Sequence, residues 1–269
     1  MVGVGTLCLV AAVSTWGWSV IIGLAAALVV AIVLGYRLTV RRGESLRHWW
    51  LILLLFVVAP LLIFVSMATY VVVQAGTNWD LPILVYVADH QVHALSRIVA
   101  VATETGSALV VALLLAGVLV ALLVARLYRE AAFLAVATTS SMAVDGIMKL
   151  VFARPRPALF EQTPGGWSFP SGHTMSATGF ATALLILSWH TRWRLPATIA
   201  AVLYAAFIGV SRVYLGVHYP SDVVGGWALS LVVVGATWLA FWDQLAEAHA
   251  ESFPVASSHA GRIDPTKER

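Results

Sequence analysis

Long apolar segments separated by short polar stretches dominate the pattern of this chain. A helix needs about 20 predominantly apolar residues to span a bilayer, and seven segments meet that requirement. They lie at about 17–37, 50–73, 106–125, 131–152, 173–190, 197–214 and 223–242. The pattern therefore predicts an all-α, polytopic membrane helix bundle with seven spans.

The longest connection between predicted spans covers residues 74–105. Its sequence is too polar to span a membrane, yet its apolar residues recur at helical spacing. This pattern predicts an amphipathic helix at about 79–100 that lies in the membrane interface. The C-terminal segment 244–269 is polar and is predicted to be disordered.

Composition supports membrane insertion, because 60% of the residues are hydrophobic and 11% are charged. A soluble domain carries about 25% charged residues. The formal net charge of +3 is small, and the basic residues lie in short loops, so nucleic-acid binding is not expected.

The basic residues also predict orientation, because cytoplasmic loops are enriched in Lys and Arg. One side of the predicted topology holds Arg37, Arg41, Arg42, Arg47, Arg126, Arg129, Arg192, Arg194, Arg262, Lys267 and Arg269. The other side holds Arg97, Lys149, Arg154, Arg156 and Arg212. The first side is therefore predicted to be cytoplasmic, together with the C-terminus, and the N-terminus is predicted to lie outside.

Polar residues collect where four predicted spans begin or end on the outer side. Charged residues at membrane depth are costly and usually mark a function. The set comprises Lys149, Arg156, Ser171, Gly172, His173, Arg212, His218 and Asp222. Three cations, two histidines and a carboxylate are therefore expected to converge at one membrane face.

The cations in this set suggest an anionic ligand. Lys149, Arg156 and Arg212 can all bind phosphate, and arginine does so in a bidentate manner. Ser171 and Gly172 open a helix, whose free N–H groups and positive dipole end favour an anion. Glycine allows the backbone to approach closely, and the serine can cap the helix or donate a hydrogen bond.

His218 and Asp222 are four residues apart, so on a helix they share one face. A carboxylate beside an imidazole fixes its tautomer and supports its positive charge. Such a histidine can act as a nucleophile toward phosphorus or as a base, and His173 can donate a proton. His173, His218 and Asp222 could in principle bind zinc. The three neighbouring cations would repel it, so no metal and no cofactor is expected.

Other polar residues have simpler interpretations when each is taken alone. Arg154 is expected to be an interfacial anchor, and Glu104 is expected to belong to a solvated face. Asp145 lies within a span, where a charge is costly. It is either a partner in helix pairing or a residue of a water-filled cavity.

Three motifs occur in order along the chain: "KLVFARPRP", "PSGH" and "SRVYLGVHYPSD". With these motifs, residues of about 50–243 resemble the type 2 phosphatidic acid phosphatase superfamily of integral membrane lipid phosphatases. The stretch "SRVYLGVHYPSDVVGG" is similar to the bacterial branch that acts on phosphatidylglycerophosphate and undecaprenyl pyrophosphate.

The resemblance implies a role for each matching residue. His218 would be the nucleophile that forms a phosphohistidine, Asp222 would orient it, and His173 would protonate the leaving oxygen. The phosphoryl oxygens would be held by Lys149, Arg156, Ser171, Gly172 and Arg212. The family needs no metal, and water hydrolyses the intermediate.

The resemblance also divides the chain into regions. The family core has six spans, so residues 1–49 would be an extra N-terminal span with a basic cytoplasmic loop. Residues 50–243 would be the phosphatase core and 244–269 a cytoplasmic tail. The implied protein is a multi-pass plasma (inner) membrane enzyme with an extracytoplasmic active site, whose lipid phosphate substrate enters laterally from the bilayer.

Two alternative functions are compatible with parts of this pattern. A lipid-to-lipid phosphotransferase would use the same phosphohistidine and pass the phosphoryl group to a second lipid. A transporter or binding protein for anionic lipids would belong to another class. Transporters often carry inverted repeats and midplane sites, whereas this polar cluster is predicted at the membrane face.

Overall fold

The computed structural model describes residues 53–74, 79–158 and 165–252, all of them in helices and their connections. A π-helical turn, Leu54–Val58, precedes the first α-helix. The helices are α1 Ala59–Gln74, α2 Asp80–Asp89, α3 His93–Thr103, α4 Ala108–Val124, α5 Tyr128–Phe152, α6 Gly172–Ser188, α7 Arg194–Tyr214 and α8 Pro220–Ser252. The predicted all-α helix bundle is confirmed for the described part of the chain.

Six of the seven predicted spans coincide with helices, namely α1 and α4 to α8. Among the described residues, four helices are long and apolar enough to cross a bilayer: Leu54–Val73, Tyr128–Phe152, Arg194–Tyr214 and Pro220–Leu245. A fifth span is possible if the bent pair His93–Gly106 and Ala108–Val124 counts as one. The predicted span 17–37 lies outside the described residues, so the total of seven stays a prediction.

The connection between α1 and α4 differs from the single amphipathic helix predicted at about 79–100. It contains two helices, α2 and α3, which are separated at residues 90–92. Hydrogen bonds hold this break against the end of α7: Gln91 Nε2 donates to the Tyr214 carbonyl at 3.0 Å, and the Val92 N–H donates to Tyr214 Oη at 3.1 Å. Tertiary contacts thus end a helix that periodicity alone would continue.

The end of the chain also differs from the prediction. Helix α8 runs to Ser252, so the first residues of the predicted disordered tail are helical. The remaining tail residues, 253–269, lie outside the described residues.

Helices α6 and α8 form the centre of the bundle. Residues 174–183 of α6 are all buried, and α8 packs against α1, α5, α6 and α7. Small residues permit the close approach that membrane helices use for packing. A Cβ on Gly179 would lie 2.7 Å from Ser141 Oγ, and Ser230 Oγ donates to the Met175 carbonyl at 3.1 Å.

An aromatic cluster supports the chain just before α6. Phe169 is fully buried, and its ring centroid lies 5.8 Å from that of Phe64 and 4.9 Å from that of Phe152. A Cβ on Gly225 would lie 2.7 Å from the Phe169 ring. This packing fixes the entry to α6 against α1, α5 and α8.

Candidate active site

Four helix ends meet in one place: the C-termini of α5 and α7 and the N-termini of α6 and α8. Backbone hydrogen bonds join the start of α8 to the residue before α6, and join the beginning of the connection between α5 and α6 to its end. The Ser171 N–H donates to the Asp222 carbonyl at 3.1 Å, and the Ser168 N–H donates to the Arg154 carbonyl at 2.8 Å. The three sequence motifs are therefore adjacent in space, although they are far apart along the chain.

Helix α5 ends with Lys149 in its last turn and Ala153 in a left-handed conformation. The Ala153 N–H donates to the Lys149 carbonyl at 3.0 Å, which satisfies one of the free carbonyls at the helix end. The left-handed residue turns the chain, and Arg154 and Arg156 then follow toward α8.

His218 is buried, with 2% of its side-chain surface exposed. Its Nδ1 lies 3.3 Å from Asp222 Oδ2, and its Nε2 lies 3.1 Å from Arg156 Nη1. Arginine N–H groups only donate hydrogen bonds, so Nε2 must be the unprotonated nitrogen. The proton is thereby assigned to Nδ1, which donates to Asp222. The lone pair of Nε2 is the one available to a substrate.

The protonation state of His218 agrees with this tautomer. His218 lies in the connection between α7 and α8, and its burial lowers the pKa to about 4 even though Asp222 acts in the opposite direction. Arg156 and Arg212 lower this pKa further. The imidazole is therefore neutral at neutral pH, as a nucleophile must be.

The N-terminus of α6 brings Ser171, Gly172 and His173 to the site. A Cβ on Gly172 would lie 2.6 Å from Lys149 Nζ and 2.8 Å from Asp145 Oδ2, so only glycine leaves room for these side chains. Ser171 occupies the N-cap position, but its side chain makes no capping bond. Instead its hydroxyl accepts from Thr174 Oγ1 at 2.9 Å.

His173 lies close enough to His218, Lys149, Arg156 and Arg212 for their charges to act on it. Its Nε2 lies 3.6 Å from Glu104 Oε1, so Glu104 borders the site although its side chain is 60% exposed. The sequence interpretation of Glu104 as part of a solvated face misses this contact. The negative charge of Glu104 therefore lies at the edge of the site, where it would repel a bound phosphate.

Asp145 pairs with Lys149 across one helical turn, with Oδ2 and Nζ 2.5 Å apart. The sequence suggested either pairing with another helix or a water-filled cavity for Asp145. This ion pair favours neither interpretation, since its partner Lys149 lies on the same helix. The carboxylate holds the lysine side chain beside Gly172.

The interpretation of Arg154 as an interfacial anchor is wrong. Its side chain is 4% exposed and forms ion pairs with two buried carboxylates: Nη1 lies 2.5 Å from Asp222 Oδ1, and Nη2 lies 2.7 Å from Asp80 Oδ2. A lone arginine near a span end is usually an anchor. Its position two residues before Arg156, in the sequence "RPRP", was the signal that it also faces the site.

Sequence reasoning also missed three buried residues around the His218–Asp222 pair. Ser168 Oγ donates to Asp222 Oδ2 and lies 3.4 Å from His218 Nδ1. Ser221 Oγ accepts from Arg154 Nη1 at 2.8 Å, and Asp80 accepts from the Ser221 N–H at 2.9 Å. Each of these contacts joins separate elements, so no local motif marks them.

Fold and site together define a class: a multi-pass membrane helix bundle with a cluster of cationic side chains beside a neutral, carboxylate-oriented histidine. Within this chain, residues 130–246 match the model of the PAP2 superfamily. The matched segment contains the three motifs, so the resemblance predicted from them is confirmed there.

Curated relatives share this segment. The chain is 34% identical over 102 residues to an undecaprenyl-diphosphatase of Sulfolobus acidocaldarius, which covers 35% of this chain and 44% of the relative. It is 41% identical over 80 residues to phosphatidylglycerophosphatase B of Escherichia coli, covering 29% of this chain and 31% of the relative. The alignments thus span less than half of the relatives' own length.

A solved structure resembles the fold over a longer range. It is the crystal structure described as the first transmembrane PAP2-type phosphatidylglycerolphosphate phosphatase from Bacillus subtilis. The match has a TM-score of 0.61 at 22% identity and covers 74% of this chain and 98% of the other. At this identity the likeness establishes the fold.

Proposed function

We propose that this protein removes phosphate from a membrane lipid phosphate or pyrophosphate, with His218 as the nucleophile. The observation that carries the proposal is the orientation of that imidazole. Its Nδ1–H faces Asp222, and the lone pair of its Nε2 faces the guanidinium of Arg156. A phosphoryl group bound to this guanidinium lies directly before the nucleophilic nitrogen.

The first step forms a bond between His218 Nε2 and phosphorus and breaks the bond between phosphorus and the lipid oxygen. The anionic substrate bound beside His173 favours its protonated form, which donates a proton to that departing oxygen. The positive charge that develops on the imidazole is stabilised by Asp222 through Nδ1–H. In the second step His173 takes a proton from the water that attacks phosphorus, the N–P bond breaks, and phosphate leaves. His218 returns to its neutral form, and His173 has regained the proton that it gave.

Cations around the nucleophile stabilise the charge on the phosphoryl oxygens. Arg156 contributes Nη1, which donates to the Val217 carbonyl at 2.9 Å and to His218. Lys149 lies beside the backbone of Gly172, and Arg212 is buried next to Arg156. Fixed donors need no reorganisation during the reaction, which is a large source of catalysis.

The location of the site supports a lipid substrate. The four helix ends lie at one end of the bundle, where a lipid can present its phosphate while its chains stay in the bilayer. Each methylene kept out of water contributes about 0.8 kcal/mol, which concentrates lipid substrates in the membrane. We further propose that this end faces the extracytoplasmic side, as the distribution of Lys and Arg predicts. The preferred substrates are polyprenyl pyrophosphate and phosphatidylglycerophosphate, which the names of the relatives suggest.

The test is phosphate release by purified protein in detergent, with polyprenyl pyrophosphate, phosphatidylglycerophosphate, phosphatidic acid and para-nitrophenyl phosphate compared by kcat/KM. We expect a large preference for long-chain lipids, full activity in EDTA, and none in His218→Ala. The variant His190→Ala, whose histidine is exposed at the other end of α6, is the matched control. Loss of activity in EDTA with recovery on added metal would refute the metal-free mechanism. Equal cleavage of the soluble ester would refute lateral lipid entry.

The same assay separates hydrolysis from phosphoryl transfer to a second lipid. Hydrolysis predicts equal phosphate release with and without an acceptor lipid such as diacylglycerol. Transfer predicts that the acceptor becomes phosphorylated and that free phosphate falls.

A further inference from the structure

Beyond the nucleophile and its carboxylate, the site contains a second buried carboxylate that the three motifs do not include. Asp80 lies in the first turn of α2 and is fully buried. Its Oδ2 lies 2.7 Å from Arg154 Nη2, and its Oδ1 accepts from the Ser221 N–H at 2.9 Å. Asp80 is therefore joined to α8 and to the connection after α5 at the same point.

Arg154 is the bridge between the two carboxylates. One face of its guanidinium lies 3.9 Å from the centroid of the Tyr219 ring, and Nη1 also donates to Ser221 Oγ at 2.8 Å. The planar fork of arginine suits such a bridge. By holding Asp222 Oδ1, Arg154 turns the other oxygen, Oδ2, toward His218 Nδ1.

Asp80 balances the positive charge of Arg154. Arg154 alone would offset the negative charge of Asp222, on which the developing imidazolium of His218 depends. A buried charge acts strongly on its neighbours, because little water screens it. Asp80 supplies the opposing charge for Arg154, so Asp222 keeps its own for the histidine.

We infer that Asp80 and Arg154 are positioning residues for the nucleophile: Arg154 aims Asp222 at His218, and Asp80 neutralises Arg154. This inference rests on the proposed function, since it assigns a role in the reaction at His218. Neither residue touches the substrate in this account. Loss of Asp80 alone, which leaves Arg154 without its counter-charge, should therefore slow the chemical step and leave lipid binding intact.

The test measures kcat and KM for phosphate release from a long-chain lipid substrate. Asp80→Asn keeps the shape of the side chain and removes its charge. We expect kcat to fall about tenfold or more, because a neighbouring buried charge changes the basicity of an ionisable group by about one pKa unit or more. KM should change by less than about twofold. Asp89→Asn, which removes an exposed carboxylate from the same helix, is the matched control and should behave like the wild type.

The decisive measurement is the double variant Asp80→Asn with Arg154→Gln. It removes the cation together with its counter-charge, whereas breaking a buried pair on one side leaves a charge uncompensated. We expect the double variant to recover most of the kcat lost in Asp80→Asn, because a glutamine at position 154 carries no charge but can still donate an N–H to Asp222 and keep it aimed at His218. A purely structural role predicts a double variant at least as impaired as the single one, and that result would overturn the inference.

The outcomes separate the two proposals. If the wild type releases phosphate, His218→Ala does not, and Asp80→Asn matches the wild type, then the positioning role is wrong and the proposed function stands. If the wild type releases phosphate from none of the lipids, the proposed function fails and the positioning role fails with it. If Asp80→Asn alone does not fold, the double variant decides between the two outcomes. A kcat within about tenfold of the wild type supports the charge balance. A loss of kcat as large as that of Asp222→Asn overturns it.

Discussion

At the scale of single residues, the chemistry depends on which nitrogen of His218 is free. The contact between Nε2 and a guanidinium that only donates assigns the proton to Nδ1. Asp222 and Ser168 surround that nitrogen. One imidazole thus offers a lone pair on one side and holds a carboxylate on the other.

This arrangement predicts how His218 responds to pH. Burial disfavours the charged imidazolium and lowers the pKa to about 4. The neutral nucleophile should therefore persist as pH falls and be lost only around that value, whereas an ordinary histidine protonates near pH 6.5. NMR of protein labelled with ¹³C at histidine, with the His218 signal assigned through His218→Ala, measures this directly. A titration midpoint for His218 above about pH 6 would contradict the assignment.

The second histidine predicts a dependence on the leaving group. His173→Ala should slow cleavage of lipid alkyl phosphates by about 10²–10⁴-fold, the usual contribution of a general acid. The loss should be much smaller for an aryl phosphate, whose leaving group needs no proton. Single-turnover rates for the two substrates give the comparison. An equal loss for both would remove His173 from the acid role.

Residue chemistry in the sequence predicted much of this site. The motif residues lie within three short stretches, so the sequence could predict that they meet at one membrane face, and the resemblance implied the role of each. Asp80 was missed and Arg154 was assigned the wrong role, because the two residues are 74 positions apart and their pairing exists only in the folded chain. A residue considered alone takes its commonest role, and for Arg154 that role is wrong.

At the scale of helices, the site is made by the ends of helices and by the space between them. Apolar length predicted α1 and α4 to α8, because spanning a bilayer imposes a length on each helix. It did not predict the break between α2 and α3, which depends on hydrogen bonds to Tyr214. Apolar length also did not predict how far α8 continues, since a helix can extend beyond its apolar segment.

The close approach of α5 and α6 predicts the effect of a single methyl group. Gly172→Ala places a Cβ where Lys149 Nζ lies 2.6 Å away. Because that atom is the tip of a flexible side chain, the fold should tolerate the change, and the lysine should move away from the site. We expect kcat/KM to fall about tenfold or more at nearly unchanged thermal stability. Gly146→Ala, in α5 with no atom near its Cβ, is the matched control and should have no such effect. A fully active Gly172→Ala protein would contradict the placement of Lys149.

At the scale of the whole molecule, the bundle places its reactive groups at one end, and the basic loops predict which side of the membrane that end faces. In a background with Cys8→Ala, a cysteine in place of Gly165 should react with an impermeant thiol reagent on intact cells. A cysteine in place of Thr191 should react only after the cells are opened. Both positions are exposed in the structure. The reverse pattern would place the site at the cytoplasmic face.

The central claim is that phosphate passes through His218, and the most direct measurement is to trap it there. Rapid quenching of the purified protein with a ³²P-labelled lipid phosphate should yield a phosphoprotein that is labile in acid and stable in alkali, as a phosphohistidine is. The label should map to the peptide that contains His218, should be absent in His218→Ala, and should accumulate when the second step is slowed. Phosphate release at the normal rate by His218→Ala, or a label on another residue, would contradict the account.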